Sequence, residues 1–311
     1  MKQVEWVRQD GKMEQLMRSV QAGRIVHALL FSGPRGTGKR TAANWFSQAM
    51  LCQGDDKPCG TCPACKRFLA GAHPDVRYVR PEKNVIKVDV IRDLLDYLSM
   101  RPYEGGKHIA VIEQADKMNA NAQNALLKTL ESPTGDVMFF LLTDAPGGLL
   151  STIHSRCQTV RFSPLSVEDC AYVLQGKGIE QQRAFMLSGI AQGSVGRAME
   201  LNEDEAFFDL RSRVLNSLEA LKGDATVAYA ASMIAEEKGS ERTILEIMEL
   251  WARDLMAVQN GGEVFQRFDF ERLKKSRLSG TKLLQAVMLA GQQLSANVSW
   301  INVLESMYFG L

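Results

Sequence analysis

The sequence predicts an α/β fold with a parallel sheet, followed by a wholly helical C-terminal part, and three observations carry that expectation. The apolar run Ala28-Leu29-Leu30-Phe31 feeds a glycine-rich turn, Gly33 to Lys39, and then Thr41-Ala42-Ala43-Asn44-Trp45-Phe46, which is the order strand, turn, helix. Two further stretches, Lys107 to Asp116 and Val137 to Thr143, carry continuous apolar runs, as in strands covered on both faces. Beyond Pro164 the strand signals vanish, and Pro164 marks a domain boundary.

The glycine turn has the spacing of a phosphate-binding loop. Glycines at 33, 36 and 38 let successive backbone N–H groups point inward around a polyphosphate such as ATP or ADP, and Thr37, Lys39 and the following helix N-terminus complete the cradle. After the lysine a magnesium-dependent NTPase places a Ser or Thr hydroxyl on the metal, whereas this chain has Arg40, which has no lone pair to offer. Thr41 carries the hydroxyl but lies about 100° further round the helix. The loop suits phosphate and is poorly equipped for magnesium.

Length and charge bound the rest. The 311 residues suffice for two or three domains, and 37 basic against 36 acidic side chains argue against a large nonspecific nucleic-acid surface while leaving room for a local basic patch. No apolar run reaches the ~18 residues of a membrane span, and Met1 to Trp6 lacks the apolar core of a signal peptide, so a cytoplasmic protein without a membrane partner is expected. In that reducing compartment six cysteines are thiols or metal ligands rather than disulfides.

Along the chain, Glu14 to Val20 reads as an amphipathic helix closed by Gly23, leading into a strand over His27 to Phe31. The helix after the loop runs to Cys52. Cys52, Cys59, Cys62 and Cys65 then place four thiols in 14 residues, a spacing that closes a tetrahedron around structural zinc and leaves no open position for catalysis; a redox pair would account for only two of them. His73 to Val79 alternates like a strand, and Val88 to Leu98 has helical spacing. The strand from Lys107 ends in Glu113-Gln114, where a P-loop NTPase carries a magnesium-binding Asp and, in one large branch, a Glu that polarises the attacking water. Glu113 can still reach a metal, but the Gln114 amide cannot act as a base. Asp116 reads as a turn residue beyond the strand.

A helix over Asn121 to Glu131 stops at Ser132-Pro133, and the strand Val137 to Thr143 sets Thr143 at the carboxyl edge of the sheet, where open α/β folds bind ligands. A short helix, Leu149 to His154, precedes Ser155-Arg156-Cys157 and a last strand over Gln158 to Phe162. Helices follow at Val167 to Gln175, Gln181 to Ala191 and Ser194 to Leu201, a unit small enough to need support from the first domain, with Arg197 on its third helix. From Asn202 to Leu311 the pattern is helical, broken near Gly223, Gly239, Gly261 and Gly280. Met233, Met248, Met256 and Met288 are expected in the core, and Cys157 and Cys170 as half-buried thiols.

The phosphate loop, the inserted cysteine cluster, Asn124 to Glu131 and Ser155-Arg156-Cys157 together resemble bacterial clamp-loader ATPases of the AAA+ class, by motif over 1–201 and beyond that by length and helical character. The resemblance implies a five-stranded parallel AAA+ domain over 1–165 with a zinc module at 52–65, a three-helix lid over 166–201 and a helical collar over 202–311. It implies a pentameric ring with gamma/tau and delta subunits that loads a sliding clamp on primed DNA for DNA polymerase III. In that ring Arg156 is an arginine finger presented to ATP on the neighbouring subunit. Thr143 matches the first sensor position and Arg197 the second. Relatives that hydrolyse ATP carry a Thr or Ser after the loop lysine and an Asp-Glu pair on the acidic strand. Arg40 and Glu113-Gln114 depart from both, which favours a non-hydrolysing ring subunit over an ATP-hydrolysing gamma/tau-like subunit or other AAA+ remodelling ATPase in which Thr41 and Glu113 together restore metal binding.

Overall fold

Strand β1 (Ala28–Ser32) is paired on both sides and buried along its whole length because helices cover both faces of the sheet, which its run of apolar residues requires. In the computed structural model, which describes residues 12–21, 26–104, 106–133, 135–237 and 239–311, four further strands lie parallel to it. These are β2 (Val76–Val79), β3 (His108–Ile112), β4 (Val137–Thr143) and β5 (Gln158–Arg161), in the spatial order β2-β3-β4-β1-β5. Ser32 stands opposite Thr143 on one side and Arg161 on the other, and Ile112 stands opposite Leu141. The carboxyl ends of the three central strands therefore share one edge.

Alternation along the buried strands sends side chains to two cores. Leu29 and Phe31 join Ile109, Val111 and Phe140 beneath α2 (Lys39–Leu51) and α1 (Lys12–Gln21), which contribute Ala42, Ala43, Phe46 and Leu16. Phe31 meets Phe46 and Phe140 edge-on, at centroid separations of 6.4 and 5.6 Å. On the opposite face Leu30, Ala110, Ile112 and Phe139 pack against Ile91, Leu94 and Leu98 of α4 (Val88–Leu98) and Leu126 and Leu130 of α5 (Ala120–Glu131). Each fully buried Leu, Ile or Phe among them contributes about 1.5–3 kcal/mol. Asn119 caps α5 by accepting the Ala122 N–H, and α6 (Ser151–His154) closes this face with Ile153. A short helix, α3 (Pro63–Leu69), belongs to the cysteine insertion.

The described chain divides into two compact units, 1–165 with 194–196 and 166–193 with 197–311. The second holds α7 (Val167–Gly176), α8 (Gln181–Ile190), most of α9 (Val195–Asn202), α10 (Glu205–Ala220), α11 (Val227–Ser232), α12 (Glu241–Asn260), α13 (Phe270–Lys275), α14 (Gly280–Ser295) and α15 (Trp300–Phe309). Gly280 lets α14 start against α12, since a Cβ there would lie 2.6 Å from the Met256 nitrogen. Asp254 of α12 is fully buried and accepts the N–H groups of Phe265 and Gln266 and the Gln266 side-chain amide, at 2.8 to 3.0 Å. Gln266 in turn accepts from Arg211, which is paired with Asp269. Burial pushes the Asp254 carboxyl above its usual range while these bonds hold it down.

Several expectations need correction. Of the helical stretch over 166–201, residues 166–193 group with the C-terminal helices, where Glu168 pairs with Arg267 and Gly189 lies on the 265–266 backbone, whereas 194–196 group with the first unit as expected. Cys157 and Cys170 are buried rather than half-buried, Cys157 on the α4–α5 face of the sheet. Met248 is core, Met233 and Met256 are partly covered, and Met288 is 62% exposed on the outer face of α14 beside exposed Leu289. The strand drawn from Lys107 to Asp116 stops at Ile112, and β2 begins three residues later than His73. Gly23 lies outside the described residues.

Asp254→Ala leaves two buried N–H groups of Gln266 and the partly buried Phe265 N–H without their acceptor and is expected to cost on the order of 3 kcal/mol. A denaturation midpoint within experimental error of the native chain would contradict the role given to this carboxylate.

Candidate functional site

The loop between β1 and α2 is shaped by close approaches. Gly33 donates to the Thr143 carbonyl at 3.2 Å, and a Cβ on it would fall 2.0 Å from the Phe162 carbonyl oxygen. Gly36 and Gly38 take left-handed φ values of 78° and 89°, which glycine adopts without strain. Thr37 ties the loop by donating to the Pro34 carbonyl at 2.8 Å. Ser194 donates to the Arg35 carbonyl at 2.9 Å and the Gly196 N–H to the Gly36 carbonyl at 3.0 Å, so residues 194–196 are part of the loop's surroundings.

Lys39 is only 7% exposed, and its ammonium reaches the carbonyls of Gly33 and Pro34 at 2.6 and 2.7 Å and the Asp144 carboxylate at 2.7 Å. An ammonium has three protons, so all are engaged. Arg40 projects towards the end of β3, where its Nε lies 3.3 Å from Glu113 Oε1. Arg80, just after β2, places its own Nε 3.0 Å from the same oxygen. Two guanidinium groups thus share one carboxylate where a metal ligand was expected. Thr41 is exposed on α2, and Gln114 sits in a left-handed conformation at φ 50°.

Thr143 is buried at the end of β4, donating its hydroxyl to Asp116 Oδ1 at 2.7 Å and accepting the Ala145 N–H at 3.1 Å. Arg156 follows α6 and is held by the Thr152 carbonyl, the Ser155 hydroxyl and Glu131 at 3.2 to 3.3 Å. Its Nε is buried and has no hydrogen-bond partner. Arg197 belongs to the second unit, where it lines a cavity of about 380 Å³ with Phe207, Arg211 and Arg253.

The four cysteine sulfurs lie within 4.8 Å of one another, and among the described residues they form the one group of three or more His, Cys, Asp or Glu side chains arranged to share a metal. Backbone N–H groups point at them: Cys59 N–H at Cys52 Sγ (3.3 Å), Cys62 N–H at Cys59 Sγ (3.3 Å) and Cys65 N–H at Cys62 Sγ (3.4 Å). Such donors stabilise thiolates, the form that binds zinc. The Thr61 hydroxyl and the backbone donors pull the Cys59 thiol down to about 5, and burial pushes Cys65 up to about 12. The donor set fits zinc.

Loop, sheet edge and β4 thus bring Gly33, Gly36, Thr37, Gly38, Lys39, Arg40, Glu113 and Thr143 into one region. Sequence reasoning missed the partners that occupy their charges and hydroxyls: Asp144, Arg80, Asp116 and Glu131. The signal for Asp144 was its place immediately after Thr143 at the carboxyl edge. Arg80 follows β2 in the same way.

A five-stranded parallel sheet in this order, with a glycine loop leaving β1 and opening α2, is the α/β arrangement of phosphate-loop nucleotide-binding proteins. The family described as "DNA polymerase III, delta subunit" matches residues 8–166. DNA polymerase III subunit delta' of Bacillus subtilis (strain 168) is 34% identical over 306 residues, 94% of this chain and 93% of that protein. The subunit delta' of Escherichia coli (strain K12) is 35% identical over 63% of this chain and 60% of its own length, and subunit tau of the same organism is 31% identical over 80% of this chain and 40% of its own. The chain belongs to the DNA polymerase III subunit delta' family and is a component of the clamp loader.

Gly33→Ala forces the Phe162 backbone and the loop apart, and a loss of about 2 kcal/mol or more is expected. Thermal unfolding checks it, and an unchanged midpoint would show that the loop yields freely.

Proposed function

We propose that this subunit does not hydrolyse ATP itself and that it supplies Arg156 to a nucleotide bound by the next subunit of the loader ring. One observation carries the reading: Glu113, the carboxylate at the end of the acidic strand that the sequence offers as metal ligand, is shared by Arg40 and Arg80. A carboxylate neutralised twice has little attraction left for a divalent cation, and Gln114 cannot accept a proton from water. An ATPase built on Thr41 and Glu113 is opposed by the same two guanidinium groups.

Arg156 is differently placed. Glu131, its carboxylate partner, is 64% exposed, and an ion pair of that kind is worth ~0–1 kcal/mol, so phosphate oxygens can replace it at small cost. A guanidinium fork then meets the charge that develops on the transferred phosphoryl group. The ring we infer is heteropentameric, with gamma/tau and delta neighbours, residues 166–201 as lid and 202–311 as collar. It opens the sliding clamp and sets it on primed DNA in the cytoplasm. Thr143 and Arg197 keep the two sensor positions. Cys52, Cys59, Cys62 and Cys65 hold one structural zinc.

Two measurements test these statements. Loader reconstituted with Arg156→Ala should lose clamp- and DNA-stimulated hydrolysis at the one site this arginine faces, a supplied arginine being worth roughly 10³–10⁵ in turnover at its site. Arg156→Lys should rescue poorly, because lysine lacks the planar fork. Unchanged hydrolysis and clamp loading with Arg156→Ala would remove the role in trans. For the metal, elemental analysis should return about one zinc per chain, and chelation should open 52–65 to proteolysis; a fully reduced, zinc-free chain that resists protease there would overturn the assignment.

A further inference from the structure

The geometry points to Asp144 as a built-in competitor for the phosphate loop: a polyphosphate enters by displacing the Asp144 carboxylate from Lys39, and it binds without a divalent cation because Arg40 and Arg80 already supply the charge. The inference deepens the reading of the loop as a non-hydrolysing seat and rests on it.

Lys39 is the group for which carboxylate and phosphate compete. Its three protons go to two backbone carbonyls of its own loop and to one side chain. The Gly33 and Pro34 carbonyls cannot leave without opening the loop, whose first residue is pinned to Thr143 and packed against Phe162. Asp144 is a rotatable carboxylate, 41% exposed, so it is the partner that can yield. Its place is fixed by register, since Ser32 and Thr143 are opposite each other and the next residues, Gly33 and Asp144, leave the sheet side by side. Departure of Asp144 exposes one proton of a buried ammonium. A multiply charged phosphate is a stronger acceptor there than a single carboxylate.

Magnesium in a phosphate loop neutralises phosphate oxygens and is held by protein carboxylates and hydroxyls. Here the hydroxyl is replaced by the Arg40 side chain, and the carboxylate of Glu113 carries Arg40 and Arg80 at 3.3 and 3.0 Å. Three cations, Lys39, Arg40 and Arg80, face two carboxylates, Asp144 and Glu113. The surplus is positive, and it grows when Asp144 is neutralised. A guanidinium bonds phosphate oxygens directly, so no ion need bridge them to the protein.

Calorimetric titration of the full-length chain with ATP, ADP and inorganic triphosphate, each in EDTA and in magnesium, tests this. Asp144→Asn should bind all three about tenfold more tightly than the native chain, one unit of log affinity being ~1.4 kcal/mol. Magnesium should bring no gain. Lys39→Ala in the Asp144→Asn background should abolish the improvement, and Asp144→Ala, with its melting curve, guards against a folding defect in the first variant. Tightening for ATP and ADP but not for triphosphate would assign recognition to the nucleoside and overturn the claim. So would equal affinities of Asp144→Asn and native chain, absence of binding in both, or binding that appears only with magnesium. Turnover of ATP by Asp144→Asn would strike the non-hydrolysing reading while leaving the competitor in place, so the two fail separately.

Discussion

The double pairing of β1, with β4 on one side and β5 on the other, is the constraint on which the rest of the site depends. Parallel strands in register end together, so Ser32, Thr143 and Arg161 share one edge. From that edge the chain must turn sharply, and it does so against the Phe162 backbone with no room for a side chain at Gly33. β3 ends opposite Leu141, short of the end of β4, which leaves Glu113 just outside the sheet and within reach of α2. The catalytic-looking region is a consequence of strand lengths and register before it is a matter of side-chain chemistry.

The same edge sets an electrostatic problem. A lysine buried at 7% exposure loses most of its hydration, and the loss is bearable only if protein oxygens replace water. Two loop carbonyls are dipoles rather than charges, and Asp144 provides the countercharge. Arg40 meets a milder version of the problem: half exposed, it keeps part of its water and leans on Glu113 together with Arg80. A loop that always carried magnesium and nucleotide would find these countercharges in its ligands. Within this chain Asp144 and Glu113 provide them.

Local pattern made the elements legible in the sequence, and tertiary pairing hid the rest. α4 and β4 fall where periodicity placed them, because strong amphipathic spacing and an unbroken apolar run leave few alternatives. The cysteine cluster was legible because its four ligands lie close in sequence. Asp144, Arg80 and Asp116 were not read as partners, because each is joined to its group by strand order, and order in a parallel sheet is not written in any one segment. Met288 looked like core because helical spacing reports an apolar face without saying whether anything covers it. The grouping of 166–193 with the later helices rests on long-range contacts such as Glu168 with Arg267 and the close approach at Gly189, neither of which is written in composition.

The two positive charges singled out by motif, Lys39 and Arg156, are held in opposite ways, and the contrast bears on what each can do. Lys39 has every proton engaged, two of them by backbone that cannot move independently. Arg156 rests on a helix-end carbonyl, a neighbouring hydroxyl and an exposed glutamate, with its Nε left unpaired, and its side chain is 30% exposed. Rearranging Arg156 exchanges weak, wet contacts, whereas freeing Lys39 costs either loop geometry or a countercharge. For the role in trans proposed for Arg156, ease of release is what the chemistry asks for. A cation that organises its own loop needs no such ease.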